Sequence, residues 1–470
     1  MRKGLLGAHL AGLVLVSALA LPFSPTAEAA VFPKVRLDAP ASATDRPGPR
    51  AHNSPAIAAD PTNPKFMVLA NRIDAQDYSC ALQVSGDGGG GWVGANPVPR
   101  LPKGAEKCYA PEVAFDREGT LYYLFLGLAG PGNVPMGAFI TTSRDRGRTF
   151  STPRKVLGPR SFQVRMAIDT SSRVNRLHLV WVAASDGLGV GSMPTPPNPI
   201  LAKYSDDGGK TFSRPVQVNE AKRKRVIAPV LALGRDGGVH VMYYDLVDDA
   251  VDYHGLEGPA WEGTWTLVAS SSNDRGKSFG RHAKVTDEIV PPGRVMLIFT
   301  MPAAAVSVAR SGRLVAAWPD GRGGDPDIMF SRSRPDGKAW SAPRRLNDDK
   351  RGSGKVQDLP RLSVAPNGRI DAIFYDRRNS ADNKMNEVFY AYSNNEGKSF
   401  ATNVRLTAKP SNSSIGKKYG NKASAGLTEF GARLGLASGN SRVVAAWTDT
   451  RSSYHPLQQD IFSTVVTFSK

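Results

Sequence analysis

The sequence predicts an all-β fold: a seven-bladed β-propeller, with six blades as the alternative count. Three observations carry this. An eight-residue turn recurs six times, an apolar hairpin recurs seven times, and the two ends of the chain together supply the strands that the last hairpin lacks. A repeat of fixed period is the signature of an architecture built from one supersecondary unit.

The turn copies run Ser85–Trp92, Ser143–Phe150, Ser205–Phe212, Ser272–Phe279, Ser333–Trp340 and Ser393–Phe400, and their aromatics are 58, 62, 67, 61 and 60 residues apart. The pattern is S-x-D-x-G-x-[TS]-[WF]. Its acidic positions are Asp87, Asp145, Asp207 and Asp274; the fifth copy moves the acid to Asp336 and the sixth has Asn395. Each residue type has a role. The carboxylate or amide oxygen accepts backbone N–H groups of its own turn. The glycine takes a positive φ, and the aromatic anchors the turn between packed sheets.

The hairpins are Ser54–Asn71, Ala110–Leu126, Val164–Val182, Ala228–Asp245, Ala304–Asp320, Pro360–Asp376 and Ala432–Asp449. They are rich in Val, Ile, Leu and Tyr, as buried strands are. After six of them come a third strand, the turn and a fourth strand. After the seventh only Asp460–Phe468 remains, and the segment Phe32–Leu37 is the matching outer strand. Pairing the two ends in one blade closes the ring and leaves few open edges.

The first residues read as a signal peptide, 1–29: Arg2 and Lys3, an apolar run from Leu5 to Leu21, and Ala27-Glu28-Ala29 as a cleavage site. This implies a secreted, extracellular protein with no membrane span after cleavage, whose residues 30–470 form a single domain. The net charge is +18, or +17 without Arg2, Lys3 and Glu28. Such an excess favours an acidic glycan or another anionic polymer as partner; no nucleic-acid motif is present, and a monomer is expected. Cys80 and Cys108 are the two cysteines, and a pair in a secreted chain reads as a disulfide. No cofactor is implied. Asp245, Asp248, Asp249 and Asp252 fall in one loop that admits a structural calcium ion, though not with EF-hand spacing.

The six turns resemble the Asp box (BNR repeat) of the sialidase-like propellers, over nearly the whole mature chain. The resemblance implies a glycoside hydrolase that clamps a substrate carboxylate with arginines on the face opposite the Asp boxes. Aligning the hairpins puts Ala56, Glu112, Arg165, Val230, Ala305, Arg361 and Arg433 at one position at the channel mouth. Arg165, Arg361 and Arg433 are therefore the candidate substrate-binding residues, because guanidinium forks bind carboxylates in bidentate fashion. The resemblance also implies a Tyr nucleophile activated by Glu, and an Asp acid/base. The candidates are Tyr244 and Tyr375, with loop residues Tyr78, Tyr109 and Tyr253 as alternatives; Glu112 and Glu429; and Asp74 or Asp77. The other reading is a non-catalytic propeller that binds glycans or cell-wall polymers through the same arginines, or a scaffold for proteins. The repeated Trp318-Pro-Asp320, Tyr375-Asp376 and Trp447-Thr-Asp449 segments read most simply as structural, each Asp pairing with an Arg; the other reading is a polar cleft whose surplus carboxylates serve acid–base chemistry.

Overall fold

A computed structural model describes residues 33–35, 39–40, 50–74, 77–95, 99–184, 196–248, 263–290, 304–417, 428 and 430–468. Among them there are strands and no helix, arranged in seven antiparallel sheets that follow one another along the chain. The count is seven blades, not six. The first blade runs His52–Asp60, Asn63–Ile73, Ser79–Ser85, Val93–Gly94, and the next five repeat that order. In the seventh, Gly435–Ser438, Arg442–Asp449 and Asp460–Thr467 are completed from the other end of the chain: Lys34 pairs with Thr467 and Val35 with Val466.

The apolar faces meet between adjacent blades all round the ring. One cluster joins the second, third and fourth blades through Leu124, Leu179 and Val241; another joins the sixth and seventh through Tyr390, Leu436 and Val466, with Val35 packed against it. The turn aromatics fill these seams. Trp92 leans on the seventh blade and donates its indole N–H to Ser463 Oγ at 2.9 Å. Within the turns, Gly147 and Gly209 sit at φ 81° and 83°, which only glycine takes without cost. Their N–H groups donate to Ser143 Oγ and Ser205 Oγ at 2.8 Å. Asp145 and Asp207 accept their own serine hydroxyls at 2.8 and 2.7 Å. Among the described residues, the displaced Asp336 accepts only the N–H of Lys338, at 3.0 Å.

The repeated turns share a face with the turns that join first to second strands. Arg275, inside the fourth of them, pairs at 2.8 Å with Asp169, which ends the first strand of the third blade. The opposite face carries the starts of the first strands. There a β-bulge recurs: Ser54, Ala110, Gln163, Ala228 and Leu359 all have φ between 48° and 56°, and the register breaks after Asn53, Tyr109, Phe162, Ile227 and Asp358. Pro55, Pro111, Pro229 and Pro360 follow four of the five; a bulge is where a sheet tolerates proline. The residue after each bulge is re-aimed inward.

Candidate functional site

First-strand residues of all seven blades line a central channel with about 130 Å³ open to water. Glu112, Arg165, Arg361 and Arg433 all line it, beside Ala56 and Val230. Two details differ from the sequence alignment. In the fifth blade Ala304 and Val306 line the channel, whereas Ala305 is buried against Ala317 in the sheet. In the seventh blade Gly435, opposite Ala446, takes the register that Arg361 takes opposite Ile373, each partner lying three residues before the Asp that ends its strand. Arg433 enters two residues earlier, just after Gly431 at φ 95°.

The bulges do more than aim these side chains. Arg165 Nε donates to the carbonyl of Pro229 at 3.2 Å, and Arg433 Nε to that of Ser54 at 3.1 Å, while Arg433 Nη2 reaches the carbonyl of Pro111. Arg165 and Arg433 are thus held by bulge peptides of other blades. The bulges also latch to one another: Gln163 Oε1 accepts the N–H of Ala228 at 2.6 Å, and Ser54 Oγ that of Ala432 at 3.0 Å.

Glu112 is the single acid among these channel groups. Its Oε1 receives Arg165 Nη1 at 2.9 Å and Arg433 Nη1 at 3.0 Å, and its Oε2 receives the N–H of Met166 at 2.8 Å. Arg361 makes no hydrogen bond or ion pair among the described residues and is exposed to the channel. Burial, and then the nearby Arg165, pull its guanidinium below the usual value, with Glu112 opposing. Burial also lowers Arg433, to about 9; Glu112 opposes this, and Arg165, Arg361 and Arg72 add to it. Both stay cationic at neutral pH. Three guanidiniums against one carboxylate leave the channel groups with a net charge of +2.

The candidate catalytic groups are not brought together. Tyr375 is buried; its hydroxyl donates to the carbonyl of Thr448 at 2.9 Å and accepts that residue's N–H at 3.0 Å. Tyr244 is buried against Trp265. Burial drives both phenols above their ordinary value, away from a nucleophile. Glu112 is committed to the arginines. Asp74, buried, pairs with Arg72 at 2.6 Å and accepts Asn53 Nδ2 at 2.8 Å. Asp77 is exposed, and its hydrogen bond to Lys107 is the main cause holding its carboxyl below the usual range. Tyr78 and Tyr109 pack edge to face, Arg72 donating to the Tyr109 hydroxyl at 2.8 Å. Glu429 and Tyr253 lie outside the described residues.

Asp320, Asp376 and Asp449 pair with Arg322, Arg378 and Arg451, two residues on in each case, at 2.7, 2.8 and 2.6 Å. These are the structural pairs that their repetition suggests, and none of them engages the channel arginines. Cys80 and Cys108 are joined and tie the first blade to the second. Asp249 and Asp252 of the proposed calcium loop lie outside the described residues. Among the described residues no group of three His, Cys, Asp or Glu is placed to hold a metal ion, and no helix is long and apolar enough to cross a membrane.

No protein-family model matches the sequence, and no curated protein matches it. Solved structures do share its fold. A protein of unknown function from Dyadobacter fermentans superposes with a TM-score of 0.51 at 14% identity, over 93% of this chain and 99% of that one. A polysaccharide lyase, an ulvan lyase, gives 0.50 at 12% identity, over 88% and 94%. A Hadza microbial sialidase gives 0.46 at 13% identity, over 86% and 74%. The chain is a seven-bladed β-propeller, and its structural neighbours include enzymes that act on glycans.

Proposed function

We propose that this protein is a secreted glycan-binding propeller whose central channel receives the anionic group of an acidic glycan, a carboxylate or a sulfate. The observation that carries the reading is Arg361: a guanidinium facing the channel with no hydrogen-bond or ion-pair partner among the described residues, beside two more arginines that share one acid. A cation in that setting lacks a counter-charge that a ligand can supply. The overall charge of +18 draws polyanions to the surface. Binding is favoured over sialidase-type hydrolysis because Tyr244 and Tyr375 are core residues and Glu112 is already bonded to the arginines.

The test is calorimetric titration with sialylated, uronic-acid and sulfated oligosaccharides, and with neutral ones, against wild type and Arg361→Ala. Wild type should bind acidic glycans and release no sugar from them. The variant should fold normally and lose about 2–5 kcal/mol of binding. Equal binding of neutral glycans, or an unaffected variant, would overturn the proposal.

A further inference from the structure

Glu112 is seated as a ligand would be. One carboxylate receives two guanidiniums, from the third and seventh blades, and a backbone N–H, all at 2.8–3.0 Å. Yet the arginines do not depend on it for their position. Arg165 is held by the Pro229 carbonyl, and Arg433 by the Ser54 and Pro111 carbonyls. Those peptides belong to bulges latched blade to blade through Gln163 and Ser54. Removing the glutamate would therefore leave the donors standing and aimed at an empty seat.

We infer that Glu112 is an internal ligand that occupies a preformed carboxylate receptor and so sets the specificity of the channel. It confines an incoming anion to the Arg361 side and holds the site to one unpartnered guanidinium where three would otherwise be available. This rests on the channel being the binding site. It makes Glu112 a specificity-determining residue, and it commits the masked seat to small planar carboxylates, which match the spacing of two guanidiniums and one N–H.

The probe is sodium formate, titrated by calorimetry and followed by thermal unfolding. The proteins are wild type, Glu112→Ala, Glu112→Ser, Glu112→Gln and the double variant Glu112→Ala/Arg361→Ala. Opening the seat should give saturable formate binding in the Ala and Ser variants, at least ~10-fold tighter than wild type. Formate should restore much of the melting temperature they lose. Glu112→Gln keeps the seat filled and should gain much less. The double variant should still bind formate, because its seat lies between Arg165 and Arg433. The inference is overturned if formate binds no better to Ala or Ser than to wild type, if Gln gains as much as Ala, or if the Ala and Ser variants stay unfolded in formate. Failure of the glycan-binding reading looks different. There the wild type ignores acidic glycans while the opened seat still takes formate.

Discussion

Asp74 separates a structural role from a catalytic one more sharply than any other residue. It ends a central strand beside the channel face, where an acid/base would lie. In the structure it holds Arg72, which is entirely buried: Nε contacts Oδ1 at 2.6 Å, Nη2 donates to Oδ2 at 2.8 Å, and Nη1 goes on to the Tyr109 hydroxyl at 2.8 Å. The guanidinium also lies 4.6 Å from the Tyr109 ring centre. Asp74→Ala removes the carboxylate that pairs with that buried charge. Breaking one partner of a buried pair costs about 3–5 kcal/mol. Unfolding entropy is about 2.1 cal/mol/K per residue, so for a chain of 470 residues a loss of 1 kcal/mol lowers Tm by about 1 °C. The expected fall is about 3–5 °C, with Asp74→Asn falling less because it keeps one acceptor for Arg72. Differential scanning calorimetry measures this, and glycan binding at a temperature well below both transitions should be unchanged. A Tm within about 1 °C of wild type, together with loss of function, would refute the structural assignment and return Asp74 to the chemistry.

Three further outcomes follow from the same structure. His178, buried, and His240, half-buried, are held neutral mainly by desolvation, with values lowered from 6.5 to about 4. The unfolded chain therefore binds more protons between those values, and stability should fall as pH drops from about 6.5 to about 4, by on the order of 3 kcal/mol for each; His178→Gln should flatten that acid limb in pH-dependent unfolding, and an unchanged limb would count against it. The Cys80–Cys108 bridge closes a loop with a sequence separation of 28, so replacing both cysteines by serine should cost about 3–4 kcal/mol in denaturant unfolding, and a cost near zero would contradict this. Deleting residues 30–38 removes the strand that covers Val466 and Thr467; light scattering should then show association through the open edge, and a monomer of unchanged stability would disprove the closure argument.

How much of this was legible in the sequence depends on how local each signal is. The repeated turns declare themselves because their contacts are local, as from Asp207 to Thr211 four residues on. The blade count and the closure by Lys34–Val35 followed from counting hairpins against outer strands. The bulges left only a faint cue, prolines at positions 55, 111, 229 and 360 inside apolar strands. The fate of Glu112 left none. Its partners lie 53 and 321 residues away, and only the closed ring brings them together. Asp74 and Tyr375 could not be assigned from residue type, because a buried Asp on an Arg and a catalytic Asp are written with the same letter. Arg433 was found for the right cavity through the wrong register, since the glycine at 431 and the arginine after it mimic the bulge pattern of the other blades.

The propeller itself does not ask for charge at its centre. The first and fourth blades place Ala56 and Val230 beside the channel, and the fifth places Ala304 and Val306 there. A guanidinium in such a space costs desolvation, visible in the lowered values of Arg361 and Arg433. The fold offsets that cost for two of the three arginines, with Glu112 and with carbonyls of bulged peptides. These peptides hold non-glycine residues at positive φ, a conformation costing on the order of 1–3 kcal/mol each. Five strained bulges and three channel cations are a poor arrangement for stability alone, since the first and fourth blades fill the same position with alanine and valine. They form a coherent arrangement for binding: donors aimed inward, two of them fixed on first strands and the third two residues before one, with one cation still lacking an anion. That surplus charge is what a ligand would neutralise.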